Sequence, residues 1–278
     1  MTEVLTSPNY TMAQASLPLR PHGKVLAVTS GKGGVGKTFV SANLACALAK
    51  RGHRVLVMDA DLGLANLDVV LNLSPKVTLH DVFTGKAKLE EAIVRAPGGF
   101  SVLLAGSGMV EYSRLTHEVR EDFLHIIGGL VPHYDVLLLD TGAGISDVVL
   151  FAVSLASEVL VVATPEPTSL TDAYATIKVL VGQQTRQTVR MIINQTARVG
   201  DGRAITRQLQ QVLDRFVVTE PGRSTRLVHM GDIPADPTVR QAVMRRQLLM
   251  QMAPGCPAGL AVSQLAAKLE ETVIVRTA

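Results

Sequence analysis

Tryptophan is absent from these 278 residues, and aromatic side chains make up only 4% of them. A core must therefore be built from Val, Leu, Ala and Ile, and the 47% hydrophobic content supplies them in quantity. Cysteine is scarce as well. Cys46 and Cys256 form no C-x-x-C pair, which excludes a disulfide framework and leaves no ligand set for zinc or an iron–sulfur cluster. A reducing cytosol is the compartment this usage fits. An excess of one charge sign is also missing: 27 basic against 24 acidic residues leave +3. That is too little to make nucleic acid or an anionic membrane the default partner. The start, "MTEVLTSPNYTMAQASLPLRPHG", lacks a basic stretch followed by an apolar run and does not read as a signal peptide. One long apolar segment, "VVLFAVSLASEVLVVATP" (148–165), is broken by Glu158 and ends in β-branched residues. It predicts a buried helix and then a buried strand, not a membrane span. The expectation is a cytoplasmic protein.

What is present is a regular alternation. Residues 1–22 mix Pro, Ser, Thr and Asn without apolar period and predict a disordered tail. From Lys24 onward, the apolar runs "KVLAVT", "RVLVMD", "SVLLAG", "YDVLLLD", "VLVVAT", "VRMIIN" and "RLVHMGDIP" are separated by amphipathic stretches. Unbroken apolar runs suit strands covered on both faces. Helices between them imply right-handed crossovers, hence an α/β fold with a doubly wound, mostly parallel sheet. Residues 23–278 read as one domain.

Chemistry is concentrated where the runs end. "KVLAVT" leads into "SGKGGVGKT" and a helical segment, the strand–loop–helix context of a phosphate-binding loop. Gly31, Gly33, Gly34, Val35 and Gly36 supply backbone N–H groups toward phosphate oxygens, assisted by the helix N-terminus. Lys37 reaches the outer phosphates and the Thr38 hydroxyl ligates Mg²⁺. Asp140, closing "YDVLLLD", is placed to hold the metal through water, and Gly142 and Gly144 allow the backbone behind it close to a γ-phosphate. Asp59 and Asp61 end another strand two residues apart. One could serve the metal side and the other could position an attacking water.

Lys32 is one lysine more than the loop requires. "GKGGVGKT" resembles the deviant Walker A loop of the MinD/ParA ATPases. That resemblance implies that Lys32 reaches across an ATP-dependent homodimer to the nucleotide of the partner subunit. It also implies that Asp61 orients the hydrolytic water, that Asn194 reads adenine, and that Pro234 and Asp236 lie beside the base. Gly142 stands where septum-site relatives usually carry proline. "DADLGLANLDVVLNLSPKVTLHDVFTGKAKLEEAI" and "PEPTSLTDAYATIKVL" resemble the flagellar-number regulators of the FlhG/FleN type. The implied partners are a signal-recognition-type flagellar GTPase and a flagellar transcription activator, at the inner membrane or cell pole. The alternatives are a binding module that sequesters the activator, and a septum-site or DNA-partitioning ATPase.

Two segments depart from that pattern. "AQASLPLR" (13–20) carries Ala13 where a GTPase-activating helix has an acid, and Pro18 breaks a helix. In the C-terminal "GLAVSQLAAKLEETVIVRTA", Leu260, Leu265, Leu269 and Val273 form an apolar stripe opposite Glu270 and Glu271. An anionic membrane would not attract that face, so packing on the domain is expected and membrane contact is weak or runs through a partner. The arginines Arg186, Arg190, Arg198, Arg203, Arg207, Arg215, Arg223 and Arg226 read as a solvated face and not as a nucleic-acid surface.

Overall fold

The computed structural model describes residues 23–62, 66–106, 114–184, 186–198, 200–217 and 224–274. The seven apolar runs become strands β1 (Lys24–Ser30), β2 (Val55–Ala60), β4 (Ser101–Leu103), β5 (Val136–Ala143), β6 (Glu158–Ala163), β7 (Thr188–Thr196) and β8 (Arg226–Pro234). They lie in one eight-stranded sheet of order β3-β4-β2-β5-β1-β6-β7-β8. All pairings are parallel except the last at one edge. There β3 (Ile93–Arg95) runs antiparallel to β4, with Ile93 opposite Leu103.

Along β1, Val25 and Ala27 face one core and Leu26 and Val28 face the other, the period of two expected of a strand. The first core is closed by Phe123 and Ile126 of α5 (His117–Leu130), Val149 and Val153 of α6 (Asp147–Ser154), Leu180 of α7 (Pro167–Gln184) and Leu213 of α8 (Asp201–Phe216). The second is closed by α1 (Lys37–Lys50) and α11 (Pro257–Leu269). Every residue of α1 from Phe39 to Leu48 is buried, as befits a helix apolar all round. The short α2 (Leu67–Leu71), α3 (Leu79–Phe83), α4 (Leu89–Ala92), α9 (Pro237–Met244) and α10 (Leu249–Met252) are the remaining α-helices among the described residues.

Residues 148–165 do form α6 and then β6, and among the described residues no helix is long and apolar enough to cross a membrane. The tail, including Ala13 to Arg20, lies outside the described residues. At the other end, Leu265, Leu269 and Val273 are buried against α1, but Leu260 is 53% exposed. It leaves the expected stripe because the helix turns that position away from the sheet. Of the arginines, Arg190 is buried with Nε 3.0 Å from Glu158, and Arg186 donates to the Val153 carbonyl at 2.7 Å. These two belong to the scaffold. Arg223 lies outside the described residues.

Candidate nucleotide and metal site

Because β1 lies between β5 and β6, the loop after it opens over the carboxyl edge of the sheet, where doubly wound folds take their ligands. Residues 31–36 connect β1 to α1. The loop is braced on three sides. Ser30 Oγ donates to the Lys32 carbonyl at 2.7 Å, and the Gly144 N–H donates to the Ser30 carbonyl at 2.8 Å. Asn194, near the carboxyl end of β7, donates through Nδ2 to the Val35 carbonyl at 2.8 Å. Gly36 has φ 95°, and a Cβ there would lie 2.4 Å from Asn194 Nδ2. Only glycine permits that brace. By contrast, Gly33 and Gly34 face open space, so the loop's own surface is clear for a ligand.

Asp140 is buried at the end of β5 and accepts the hydroxyls of Thr38 and Ser41, the latter at 2.8 Å. Burial pushes its carboxyl up to about 6, against the Thr38 and Ser41 hydrogen bonds and the Lys37 charge that pull it down. Asp59 stands opposite Asp140 in the β2–β5 register. Burial, and then the Asp140 charge, raise it well above the ordinary carboxylate range. Its oxygens do not reach outward beside Asp61. They accept the backbone N–H of Asp61 at 3.2 Å and of Leu67 at 3.4 Å, so Asp59 holds the loop that carries Asp61. Lys37 is lowered by burial, offset by Asp140 and Asp61.

Burial raises both of these adjacent carboxyls, and the nearby Lys37 charge only partly offsets this at Asp140. The Thr38 hydroxyl and the Asp140 carboxylate are hard oxygen donors and fit Mg²⁺, whose charge would return Asp140 to its ionised form. Asp61 is half-buried beside Gly142, near the carboxyl end of β5. A Cβ on Gly142 would lie 3.3 Å from its Cγ and Oδ1. Gly142 thus leaves room for Asp61 against the end of β5.

A cavity of about 560 Å³ opens beside Gly36 and Phe39 and is also lined by Asn194, Pro234 and Asp236, a volume suited to a base and ribose. Asp236 borders it without pointing a free carboxylate into it. Its oxygens accept Thr238 N–H at 2.8 Å and Ala258 N–H at 3.2 Å, capping α9 and tying it to α11. Gln195, in the left-handed region at φ 60°, also lines the cavity.

Lys32 does not lie free. Its Nζ is 3.1 Å from Glu166 Oε2 and 2.9 Å from Thr168 Oγ1, at the start of α7. Glu166, Thr168 and Ser41 were not among the residues the sequence singled out. Ser41 alone carried a signal: it follows Thr38 by three positions and so shares its helix face.

Residues 22–270 match the family model described as "NUBPL iron-transfer P-loop NTPase", in the ParA group. The chain is 41% identical over 247 residues to the antiactivator FleN of Pseudomonas aeruginosa, covering 89% of this chain and 86% of that one. It is 33% identical over 246 residues to the flagellum site-determining protein YlxH of Helicobacter pylori, covering 88% and 81%. Among solved structures, the septum site-determining protein MinD of Pyrococcus horikoshii, complexed with Mg-ADP, superposes with a TM-score of 0.73 at 27% identity. That match covers 92% of this chain and 100% of that one. ATP and Mg²⁺ are the cofactors that P-loop NTPases of this family use. The chain belongs to the ParA family of P-loop NTPases, in the branch that holds the MinD ATPases and the flagellar regulators.

Proposed function

We propose that this chain is a Mg²⁺-ATP-dependent dimerising switch that sets flagellar number, hydrolysing ATP to ADP and phosphate in each cycle. The observation that carries the reading is the half-buried Asp61 carboxylate held against Gly142, one loop away from the Thr38–Asp140 pair. Backbone N–H groups of residues 31–38 and the Lys37 ammonium bind the phosphates. Mg²⁺, when bound, would supply charge that neutralises the phosphates. Thr38 and Asp140 hold that ion, and Asp59 fixes the loop of Asp61. Asp61 orients a water so that its oxygen bonds to the γ-phosphorus while the bond to the bridging oxygen of ADP breaks. The water's proton leaves with the phosphate product. Asn194, Pro234 and Gln195 border the base. Lys32, brought from the partner subunit, compensates charge on the transferring group, as a cation supplied in trans does. Residues 23–278 act as one ATPase unit.

The flagellar part of the reading rests on the YlxH and FleN relatives. The ATP form is cytoplasmic and reaches the inner membrane or pole through a partner, because Leu265, Leu269 and Val273 of the C-terminal stripe are buried in the core and not offered to lipid. A signal-recognition-type GTPase and a transcription activator are the partners. A second reading is favoured by the relative FleN being an antiactivator: ATP shapes a surface that sequesters the activator, and hydrolysis only releases it.

Flagella per cell, counted by electron microscopy in a deletion strain carrying wild type or Asp61→Ala, test the proposal. Extra flagella corrected by wild type but not by Asp61→Ala are expected. Equal rescue would remove hydrolysis from counting and leave the sequestering reading. An unchanged count in the deletion would remove the flagellar role.

A further inference from the structure

The segment Pro165-Glu166-Pro167-Thr168 leads into α7 and forms its start. Pro167 opens the 18-residue helix, and the Glu166 carbonyl accepts the Leu170 N–H at 3.1 Å, closing the first turn. Ser169 Oγ accepts the Thr164 N–H at 3.0 Å and fixes the approach. A helix N-terminus attracts anions and repels cations. Yet the ammonium of Lys32 sits at this end, bonded to Glu166 and Thr168. Glu166 supplies the negative charge that makes the position tolerable.

The base of Lys32 is fixed as well. A Cβ on Gly31 would lie 2.2 Å from the carbonyl carbon and oxygen of Asp172, so the loop backbone is pressed directly onto α7. Lys32 is thus held at its Cα by the close approach of Gly31 and at its tip by Glu166 and Thr168. Its side chain is 39% exposed and that of Glu166 65%. Such a pair is screened by water and weak, so it is suited to being broken and not to supporting the fold.

We infer that Glu166 and Thr168 are positioning residues that keep Lys32 on its own subunit and thereby oppose the ATP dimer. The inference rests on the reading of Lys32 as the lysine delivered in trans. One ammonium cannot serve both places, so whatever holds it at home weakens its delivery. An exposed ion pair corresponds to about a two- to five-fold factor in an equilibrium. Each subunit of a symmetric dimer breaks its own contact, so the factors multiply to about four- to twenty-five-fold in the dimer constant.

The test is intersubunit energy transfer on the full chain, titrated in protein concentration with Mg²⁺ and a non-hydrolysable ATP analogue. Glu166→Gln is expected to tighten the dimer by about four- to twenty-five-fold, Thr168→Val by less, and Lys32→Ala to abolish it. ADP affinity of Glu166→Gln should match wild type. A dimer of Glu166→Gln that is unchanged or weaker, while Lys32→Ala still fails, would overturn the holding role alone. A loss of ADP affinity would move Glu166 into the nucleotide site and overturn it too. If Lys32→Ala dimerised like wild type, the trans-lysine reading and this inference would fall together.

Discussion

At Asp140 the demands of chemistry and of stability oppose each other. An ordinary aspartate ionises near 3.8, whereas burial lifts this one to about 6. In the metal-free protein the folded state therefore holds the proton more tightly than the unfolded state does. Stability falls as pH rises through that interval, and the loss is complete above about pH 6. Asp140→Asn keeps an acceptor for Ser41 and removes the charge. We expect it to stabilise the nucleotide-free protein at pH 7.5 by on the order of 1–3 kcal/mol, from about 1.4 kcal/mol per pH unit. The gain should vanish below about pH 4. Chemical denaturation at the two pH values measures it. The same variant should lose Mg²⁺-dependent hydrolysis. A variant less stable at both pH values would mean that Asp140 is already balanced by neighbours and carries no such penalty.

At the scale of elements, the end of α1 is fastened to the turn that follows α11. Glu270 bonds Arg51 through Nε at 2.8 Å and His53 Nε2 at 2.8 Å. Hydrogen bonds from Arg51 and His53 hold its carboxyl below the usual range. For a lowered acid the sign reverses: its contribution is present above the unfolded value and lost as pH falls through the folded one. Glu270→Gln should cost about 0.5–1 kcal/mol at pH 7.5, with the gap to wild type closing as pH falls below the ordinary glutamate range. A thermal denaturation series in pH reads it; an equal gap at both ends would show that the pair is held by packing alone.

The elements were also where the sequence spoke most clearly. Strands buried on both faces need unbroken apolar runs, so β1, β2, β5, β6, β7 and β8 announced themselves, and the glycines and lysine of residues 31–38 required their loop. β3 did not: three residues paired antiparallel at an edge carry too little pattern to separate from the end of α4. Side-chain pairing left no trace either. Lys32 and Glu166 are 134 positions apart, and no periodicity links them. Asp59 and Asp61 share a spacing that suggested a common direction, but the loop backbone claimed the Asp59 oxygens.

On the scale of the whole molecule, the parallel sheet delivers four loop groups to one edge: residues 31–38, the Asp59–Asp61 loop, the turn after β5, and the Asn194–Pro234–Asp236 rim. Two hydrogen bonds tie three of them together: Asn194 Nδ2 donates to the Val35 carbonyl, and the Gly144 N–H to the Ser30 carbonyl at the base of the first loop. The central claim is that ATP, and not ADP, joins two such edges face to face with Lys32 crossing between them. Sedimentation velocity of the full chain with Mg²⁺, in ATP with Asp61→Ala to prevent turnover and in ADP, tests this most directly. The account predicts a dimer in ATP, a monomer in ADP, and a monomer in both when Lys32→Ala is added. The same species in both nucleotides, or an undiminished dimer without Lys32, would contradict it.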